Sequence, residues 1–562
     1  MPTKDKDFAK ILQGKLVQAR REAEERDAQR RAVKNDLEYI DLSTAPINVE
    51  AYDLIPEDSA KKAKAAPIEI KEQRLAIVVY DPELSETKEL INDLKAKDYQ
   101  LKIFVVSLSN LEYAWSFYKF STKKTEEITG RVKIDEKRLA ELKSGLTTLD
   151  GVKSALDVLG QAGGQTAQIL EILLAGAMAN RASDIHLEPT KQTVNLRLRI
   201  DGILHEVFGN FKPGVYLYLL SRVKLISGLK INIHDEAQDG RFTIKFPDKE
   251  VEVRVAIAPS EFGEVVVMRL LDPETISLDL PELGLRKDDL EIIEKELKRP
   301  NGMILNTGPT GSGKTTTLYA FLKHKKSPEI KIITIEDPIE YHLEGIEQTQ
   351  VDDEAGYTFA NGLRSLMRQD PDVILVGEIR DKETGEIGVQ AALTGHLVFS
   401  TLHTNNAAGA IPRLLDLGVK ASSIGPALNL VIAQRLVRRF CSECKKEKTD
   451  IPADLNAKIR NFLTKLPKRV NKNNFKEIKI FEPVGCPKCN NTGYKGRIAI
   501  YELLSVGPET EELITSQAGE PKIQKFALEQ GMATMQQDGI LKVISGITTL
   551  EEVEGITGPL EW

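Results

Sequence analysis

The chain has 562 residues, 41% of them hydrophobic and 29% charged, with a formal net charge of −7. That length accommodates three or four domains, and the mildly acidic balance gives no global attraction to nucleic acid or anionic lipid. The charged first thirty residues exclude a secretory signal, and no apolar run approaches the ~20 residues of a membrane-spanning helix, so a cytoplasmic protein that meets a membrane only through partners is expected.

Residues 1–40 alternate charge densely, with Phe8, Ile11, Leu12 and Leu16 at helical spacing, which reads as a solvated helix with a thin apolar stripe or, alternatively, as a docking helix for a partner. Residues 41–130 read as a small α/β domain. Leu75–Tyr80 and Leu101–Val106 are its strands and Glu83–Lys97 the helix between them. The charged stretch up to 150 reads as a helical linker, with 131–150 outside any domain. A second domain spans 151–280. Its helix is Thr166–Asn180; Val194–Ile200 alternates in period two, Asp201–Gly202 turns the chain, and Ile203–Val207 follows. Arg241–Phe246, Val251–Ala258 and Glu264–Leu271 are further strands, and Pro273 and Pro281 mark a linker. From 285 to 440 the pattern is strand–loop–helix repeated, as in a mostly parallel sheet. The tail from 501 reads as short helices, and the last domain runs from 285 to 562.

Met303–Thr307 is an apolar strand that runs into Gly308, Pro309, Thr310, Gly311, Ser312, Gly313, Lys314, Thr315 and Thr316, followed by a helix-like segment. This is G-x-x-x-x-G-K-[ST] in its strand–loop–helix context. The loop amides and the helix N-terminus suit phosphate oxygens. Lys314 suits the β- and γ-phosphates of ATP, and the Thr315 hydroxyl suits Mg²⁺.

A phosphate loop needs an acid at the end of another strand. Asp372–Glu378 (DVILVGE) supplies Glu378, expected in the Mg²⁺ shell, so the base for the attacking water comes from elsewhere. Ile332–Tyr341 (IITIEDPIEY) offers Glu340 as that base and Glu336 as runner-up. His396 and His403 flank the apolar strand Leu397–Leu402; His403, at the end where open parallel sheets bind ligands, is the candidate γ-phosphate sensor.

These segments resemble the secretion ATPase superfamily that powers type II secretion and type IV pili. GPTGSGKTTTLYA is similar to its phosphate loop, IITIEDPIEY to its acidic box, LRSLMRQDPDVILVGEIRD to its second acidic strand and TGHLVFSTLHTNNA to its histidine box. The resemblance covers residues 150–562, and more weakly 41–130, which resembles the type II secretion E N-terminal domain. It implies an α/β fold: a RecA-like P-loop motor, a smaller PAS-like α+β domain before it, and the N-terminal domain. It also implies that Glu340 is catalytic and that Arg254, Arg269, Arg364 and Arg368 reach nucleotide phosphate. Ala182–Glu188 (ASDIHLE) is a further signature whose residues read as a turn. Relatives with a cyclic-di-GMP module carry paired Gly-containing motifs. Residues 1–60 hold Gly14 alone, so that ligand is not expected.

Cys441-x-x-Cys444 and Cys486-x-x-Cys489, separated by 41 residues, are the only cysteines. Two such pairs in a reducing compartment point to one structural Zn²⁺ with no open position for catalysis. They delimit a zinc insert at 441–489, which within the superfamily resembles the assembly rather than the retraction motors.

The reading is a cytoplasmic homo-hexameric ATPase that drives type IV pilus assembly, acting on an inner-membrane platform protein and through it on pilins. A type II secretion pseudopilus motor is the near alternative. A nucleic-acid motor and a non-hydrolysing nucleotide-dependent scaffold are alternatives of other classes; no nucleic-acid partner is expected.

Overall fold

The structure is a computed structural model. It describes residues 21, 23–42, 45, 47–48, 51–52, 54–71, 73–120, 131–133, 145–162, 166–246, 249–273, 277–475 and 477–562. The apolar stripe at Phe8–Leu16 lies outside the described residues; residues 23–34 are helical. The chain divides into two compact units, one ending at Leu270 and the other beginning at Leu271.

The first unit holds two sheets. In the smaller one, β1 (Glu38–Tyr39), β4 (Gln100–Val105), β3 (Arg74–Val79) and β2 (Ala65–Lys71) lie in that order, β2 antiparallel and the others parallel. The crossover between β3 and β4 is α1 (Ser85–Ala96), which buries Ile91 and Leu94 against Leu75, Ile77 and Val79. Parallel neighbours need such a crossover. The sequence-derived strands and helix are therefore present, each shifted by one or two residues. After β4, Ser107 caps α2 (Leu108–Trp115) by accepting from the Asn110 amide.

The larger sheet of the first unit runs β5 (Arg131–Lys133), β9 (Gln238–Lys245), β10 (Glu250–Ser260), β11 (Gly263–Leu271), β6 (Ala182–Pro189), β7 (Val194–Ile200), β8 (Ile203–Phe211). One face is apolar and packs Leu196, Leu198, Val253 and Met268 against α3 (Leu149–Ala162), α4 (Thr166–Ala179) and α5 (Pro213–Ile226). This is the expected α+β arrangement. Two expectations are corrected. Residues 131–133 form a strand paired parallel to β9 rather than a helical linker, and the signature read as a turn is strand β6. Asp184 and His186 project to the polar face of β6 while Ile185 and Leu187 enter the core. A bulge after Ala182 and the buried acid break the alternation that marks a strand. The two sheets are joined by Asn232, which accepts from the Ile47 amide at 3.1 Å and donates to the carbonyls of Leu42 and Ala45.

The second unit is built on the sheet β14 (Glu347–Gln350), β13 (Ile332–Glu336), β15 (Val373–Val376), β16 (Leu397–Leu402), β12 (Gly302–Thr307), β17 (Leu428–Phe440), β20 (Tyr494–Ser505), in that order. All neighbours are parallel except β17 and β20. The central strands β12, β13, β15 and β16 are buried throughout, because helices cover both faces. Strand β20 corrects the all-helical tail, since it continues to Ser505 before the helices begin. A small antiparallel pair, β18 (Lys445–Glu447) and β19 (Phe481–Pro483), lies in the insert.

Where the insert meets the tail, α6 (Lys287–Leu297) starts beside a buried charge cluster. Arg286 pairs with Asp538 at 2.7 Å and with Asp289 at 2.7 Å; Arg469 of the insert reaches Asp289 at 3.2 Å, and Lys542 reaches Asp538 at 2.5 Å.

Candidate active site

Strand β12 ends at Thr307, the loop 308–313 follows, and α7 (Lys314–Lys325) begins at Lys314. Gly313 has φ 89°, and a Cβ there would lie 2.8 Å from Gln434 Nε2 on β17; one on Gly308 would lie 2.6 Å from the Gln434 carbonyl. The loop is pressed against β17 so closely that only glycine fits at these two positions. Lys314 Nζ donates to the carbonyls of Gly308 at 2.8 Å and Pro309 at 3.1 Å, folding back over the loop. Burial pulls its pKa down to about 8, opposed by Glu378 and reinforced by Arg435. Among the described residues Ser312 Oγ, which is buried, has no hydrogen-bond partner, which is unusual for a hydroxyl and suits a loop that receives a polar ligand. Thr315 and Thr316 occupy the first turn of α7.

The carboxyl ends of β12, β15 and β16 meet here, where ligands bind in open parallel sheets. Beyond β15, Glu378 contacts Arg380 Nη2 through one oxygen and lies 3.2 Å from His403 Nε2 through the other. Arg380 also reaches Asp337 at 3.3 Å. Glu378 thus stands among Lys314, Arg380 and His403, three groups that carry or can carry positive charge. His396 lies at the opposite, amino-terminal end of β16, its Nδ1 3.0 Å from the Ala391 carbonyl, so the structure separates the two histidines.

Glu336 is buried. It accepts from Thr334 Oγ1 at 2.6 Å, Gln348 Nε2 at 3.1 Å and the Tyr319 hydroxyl. Burial raises its pKa against those three donors. With its oxygens engaged it is an anchor for the strand end. Glu340 sits half-buried two residues beyond the cis Asp337–Pro338 bond, and its backbone amide faces the Tyr319 hydroxyl.

Arg364, on α8 (Phe359–Leu366), pairs with Glu383 of α9 (Lys382–Leu393) and with Asn361, and Arg368 donates to the Arg364 carbonyl at 3.0 Å. Among the described residues these contacts hold both arginines away from Glu378. Arg254 and Arg269 lie on β10 and β11 of the first unit.

Three contributors escaped the sequence reading. Gln434, buried beneath the loop, accepts from Asn306 at 3.0 Å and Thr317 at 2.8 Å. Its neighbour Arg435 reaches the Asn405 side chain at 3.2 Å, and burial lowers its pKa. Arg380 follows Glu378 by two residues, and that adjacency was the available signal. Gln434 and Arg435 sit in an apolar run with no motif spacing to mark them.

The four cysteines converge just past the ends of β17 and β20. Their sulfurs all lie within 4.8 Å of one another. Cys441–Cys486 is 3.9 Å, Cys444–Cys489 3.8 Å and Cys486–Cys489 3.7 Å, and all four are free thiols. A tetrahedron of thiolates at about 2.3 Å from Zn²⁺ has edges of about 3.8 Å, so the donor set fits that ion. Burial pushes Cys444 up to about 12. Burial also raises Cys489, but the backbone N–H groups of Cys486 and Gly493 outweigh it and hold the thiol at about 7. The long separation between the pairs is taken up by α10 (Ala453–Lys465), which packs Ile459 and Phe462 on α11 (Met535–Ile544) and α12 (Leu550–Thr557).

Comparison with known proteins gives two family matches. Residues 162–555 match the model "Type II/IV secretion system protein". The chain belongs to this family. Residues 35–118 match the MshEN domain; that stretch contains no glycine. A type IV pilus assembly ATPase PilB of Myxococcus xanthus is 38% identical over 92% of this chain and 89% of its own length. The type II secretion system ATPase E of Vibrio cholerae is 45% identical over 69% of this chain and 75% of its own length. Among solved structures, the Legionella pneumophila ATPase DotB covers 69% of this chain and 95% of its own at 21% identity and a TM-score of 0.50, a likeness of fold.

Proposed function

We propose that the chain hydrolyses ATP and uses the energy to drive type IV pilus assembly. The observation that carries hydrolysis is the placement of Glu378 between Lys314, Arg380 and His403 at the carboxyl ends of three adjacent parallel strands. The loop amides and Lys314 hold the β- and γ-phosphates, and Thr315 and Glu378 supply oxygen donors of the kind that suit Mg²⁺. Glu340 polarises the attacking water, His403 senses the γ-phosphate, and arginines Arg254, Arg269, Arg364 and Arg368 neutralise charge on the departing phosphoryl group. Zn²⁺ on the four cysteines holds the insert. The working form is a homo-hexamer at the inner membrane, reached through a platform protein; among the described residues no helix is long and apolar enough to cross a membrane.

Assembly of a pilus is favoured over secretion because the pilus relative aligns with 92% of the chain. The secretion relative has the higher identity but aligns with 69%, and it supports the second reading. Deleting the gene in its own host tests both: loss of surface pili with normal export supports the first, and loss of exported enzymes with normal pili overturns it in favour of the second. Phosphate release by the purified chain, with Lys314→Ala as control, tests hydrolysis; binding without turnover identifies a scaffold. Salt-sensitive binding of DNA argues for a nucleic-acid motor.

A further inference from the structure

Strand β16 and the helix Ala410–Asp416 are joined by the short loop 403–409, which opens with His403. Four successive residues of that loop are held by four different parts of the second unit. The Thr404 amide donates to Thr307 Oγ1 of β12 at 2.8 Å. The Asn405 side-chain oxygen accepts from Arg435 of β17 at 3.2 Å. Asn406 Nδ2 donates at 2.8 Å to Glu520, the first residue of the helix Glu520–Glu529. The Ala407 amide donates to Glu502 Oε1 of β20 at 3.0 Å. His403, just before them, stands 3.2 Å from Glu378.

Glu502 is 3% exposed and lies in a buried run of β20, 499–504. A charge in such a place is costly unless its oxygens are met. Both are: Oε1 by Ala407, and Oε2 by the Met535 amide at 3.4 Å. The start of α11 has its own capping box, Thr534 with Gln537, so closing that helix does not account for the acid. The shorter of its two bonds goes to the loop. Glu520 is exposed and holds a side chain instead of an amide. Asn406 passes that hold along the loop, because its Oδ1 takes the Gly409 amide at 2.8 Å.

We infer that Glu502 and Glu520 are positioning residues for the reaction: two acids of the tail that fix the loop after His403 and so set where its imidazole stands at the phosphate. This rests on the proposed reading that His403 senses the γ-phosphate. Neither acid touches the nucleotide; each acts through the loop. Losing either hold frees the chain that follows the histidine. A displacement of about 1 Å at a group that faces the reacting atoms costs up to about a hundredfold in rate.

Steady-state ATP turnover of the full chain tests it, with each substitution made alone and on His403→Ala. Two acceptor oxygens are needed at 502 and one at 520, so glutamine has opposite expected outcomes at the two positions. Glu502→Gln offers one acceptor to two amide donors, and kcat is expected to fall about tenfold or more. Glu520→Gln keeps an acceptor for Asn406 and is expected to stay within about twofold of wild type, while Glu520→Ala loses about threefold or more. On His403→Ala, the losses from Glu502→Gln and Glu520→Ala are expected to shrink to under about twofold, because the group they position is gone. Normal turnover by Glu502→Gln or by Glu520→Ala overturns the role of that acid. A loss that repeats in full on His403→Ala, as a misfolded fraction would give, overturns the positioning role altogether. Full turnover by His403→Ala instead removes the reading of the histidine, and this inference falls with it. Should Glu502→Gln fail to fold, the exposed Glu520 decides: Glu520→Gln as impaired as Glu520→Ala overturns the proposal.

Discussion

Thr307 and Thr404, 97 residues apart, share a hydrogen bond of 2.7 Å between their hydroxyls, and the Thr404 amide donates to Thr307 Oγ1 at 2.8 Å. Thr307 is the last residue of the strand that feeds the phosphate loop, and Thr404 follows His403. The pair locks the loop's entry to the segment that carries His403. A change at the phosphates and a change at the histidine are therefore changes in one connected piece.

Lys314 makes nucleotide affinity depend on pH. Burial holds its pKa at about 8, and phosphate binds the charged form, so the bound pKa lies above the free one. Binding takes up a proton once the free lysine is neutral. Affinity is then flat well below pH 8 and weakens by up to about tenfold per pH unit above it. Titration with a non-hydrolysable ATP analogue from pH 6.5 to 9.5 reads this directly, and a flat profile contradicts it. Lys314→Ala is expected to abolish the inflection together with most of the binding.

Glu340→Gln and Glu336→Gln are expected to fail differently. The first keeps nucleotide binding and loses turnover by about 10²–10⁴-fold, the usual scale of a general base. The second disturbs a buried network with three donors and is expected to cost stability, about 1–3 kcal/mol, visible in denaturant unfolding. Normal turnover by Glu340→Gln together with a dead but stable Glu336→Gln reverses the assignment.

One zinc per chain is expected from elemental analysis of protein purified without chelator. Cys441→Ser or Cys489→Ser should lower that ratio and destabilise the insert, because two thiolates of the tetrahedron come from each pair. Turnover should change less than the melting of the chain. Full-strength folding with no metal present would falsify the site.

Asp538→Ala is expected to destabilise the second unit by about 3–5 kcal/mol, because it leaves Arg286 and Lys542 buried without their shared carboxylate. The Arg286–Asp538 contact is 2.7 Å and joins residues 252 apart. Chemical denaturation checks the magnitude, and a loss under 1 kcal/mol counts against the cluster as a tie between α6 and the tail.

Much of the fold was legible because its signals are local. Val194–Ile200 and Leu397–Leu402 are strands with the ends the sequence suggested, since alternation or an unbroken apolar run determines each by itself. The phosphate loop declared itself through spacing alone. What stayed hidden depends on distant partners. Strand β20 contains Glu502, a buried acid that accepts from the amides of Ala407 and Met535; in the sequence it reads as a polar residue of a short helix. Residues 131–133 count as a strand only through β9. Arg435 and Arg380 became site residues because separate strand ends converge, and Asp184 met Arg269 only when β11 came alongside β6.

Strand β17 passes beneath the phosphate loop at Gln434 and arrives at the metal cluster at Cys441. Seven residues of extended chain span about 24 Å, with β20 bonded alongside from Leu430 to Phe440 and a register irregularity between Arg438 and Phe440. The strand therefore carries the phosphate loop's support near one end and the insert at the other, with one irregularity close to the insert. The glycine-pressed loop and the four-cysteine cluster thus hang on a single strand, one seven residues from the other.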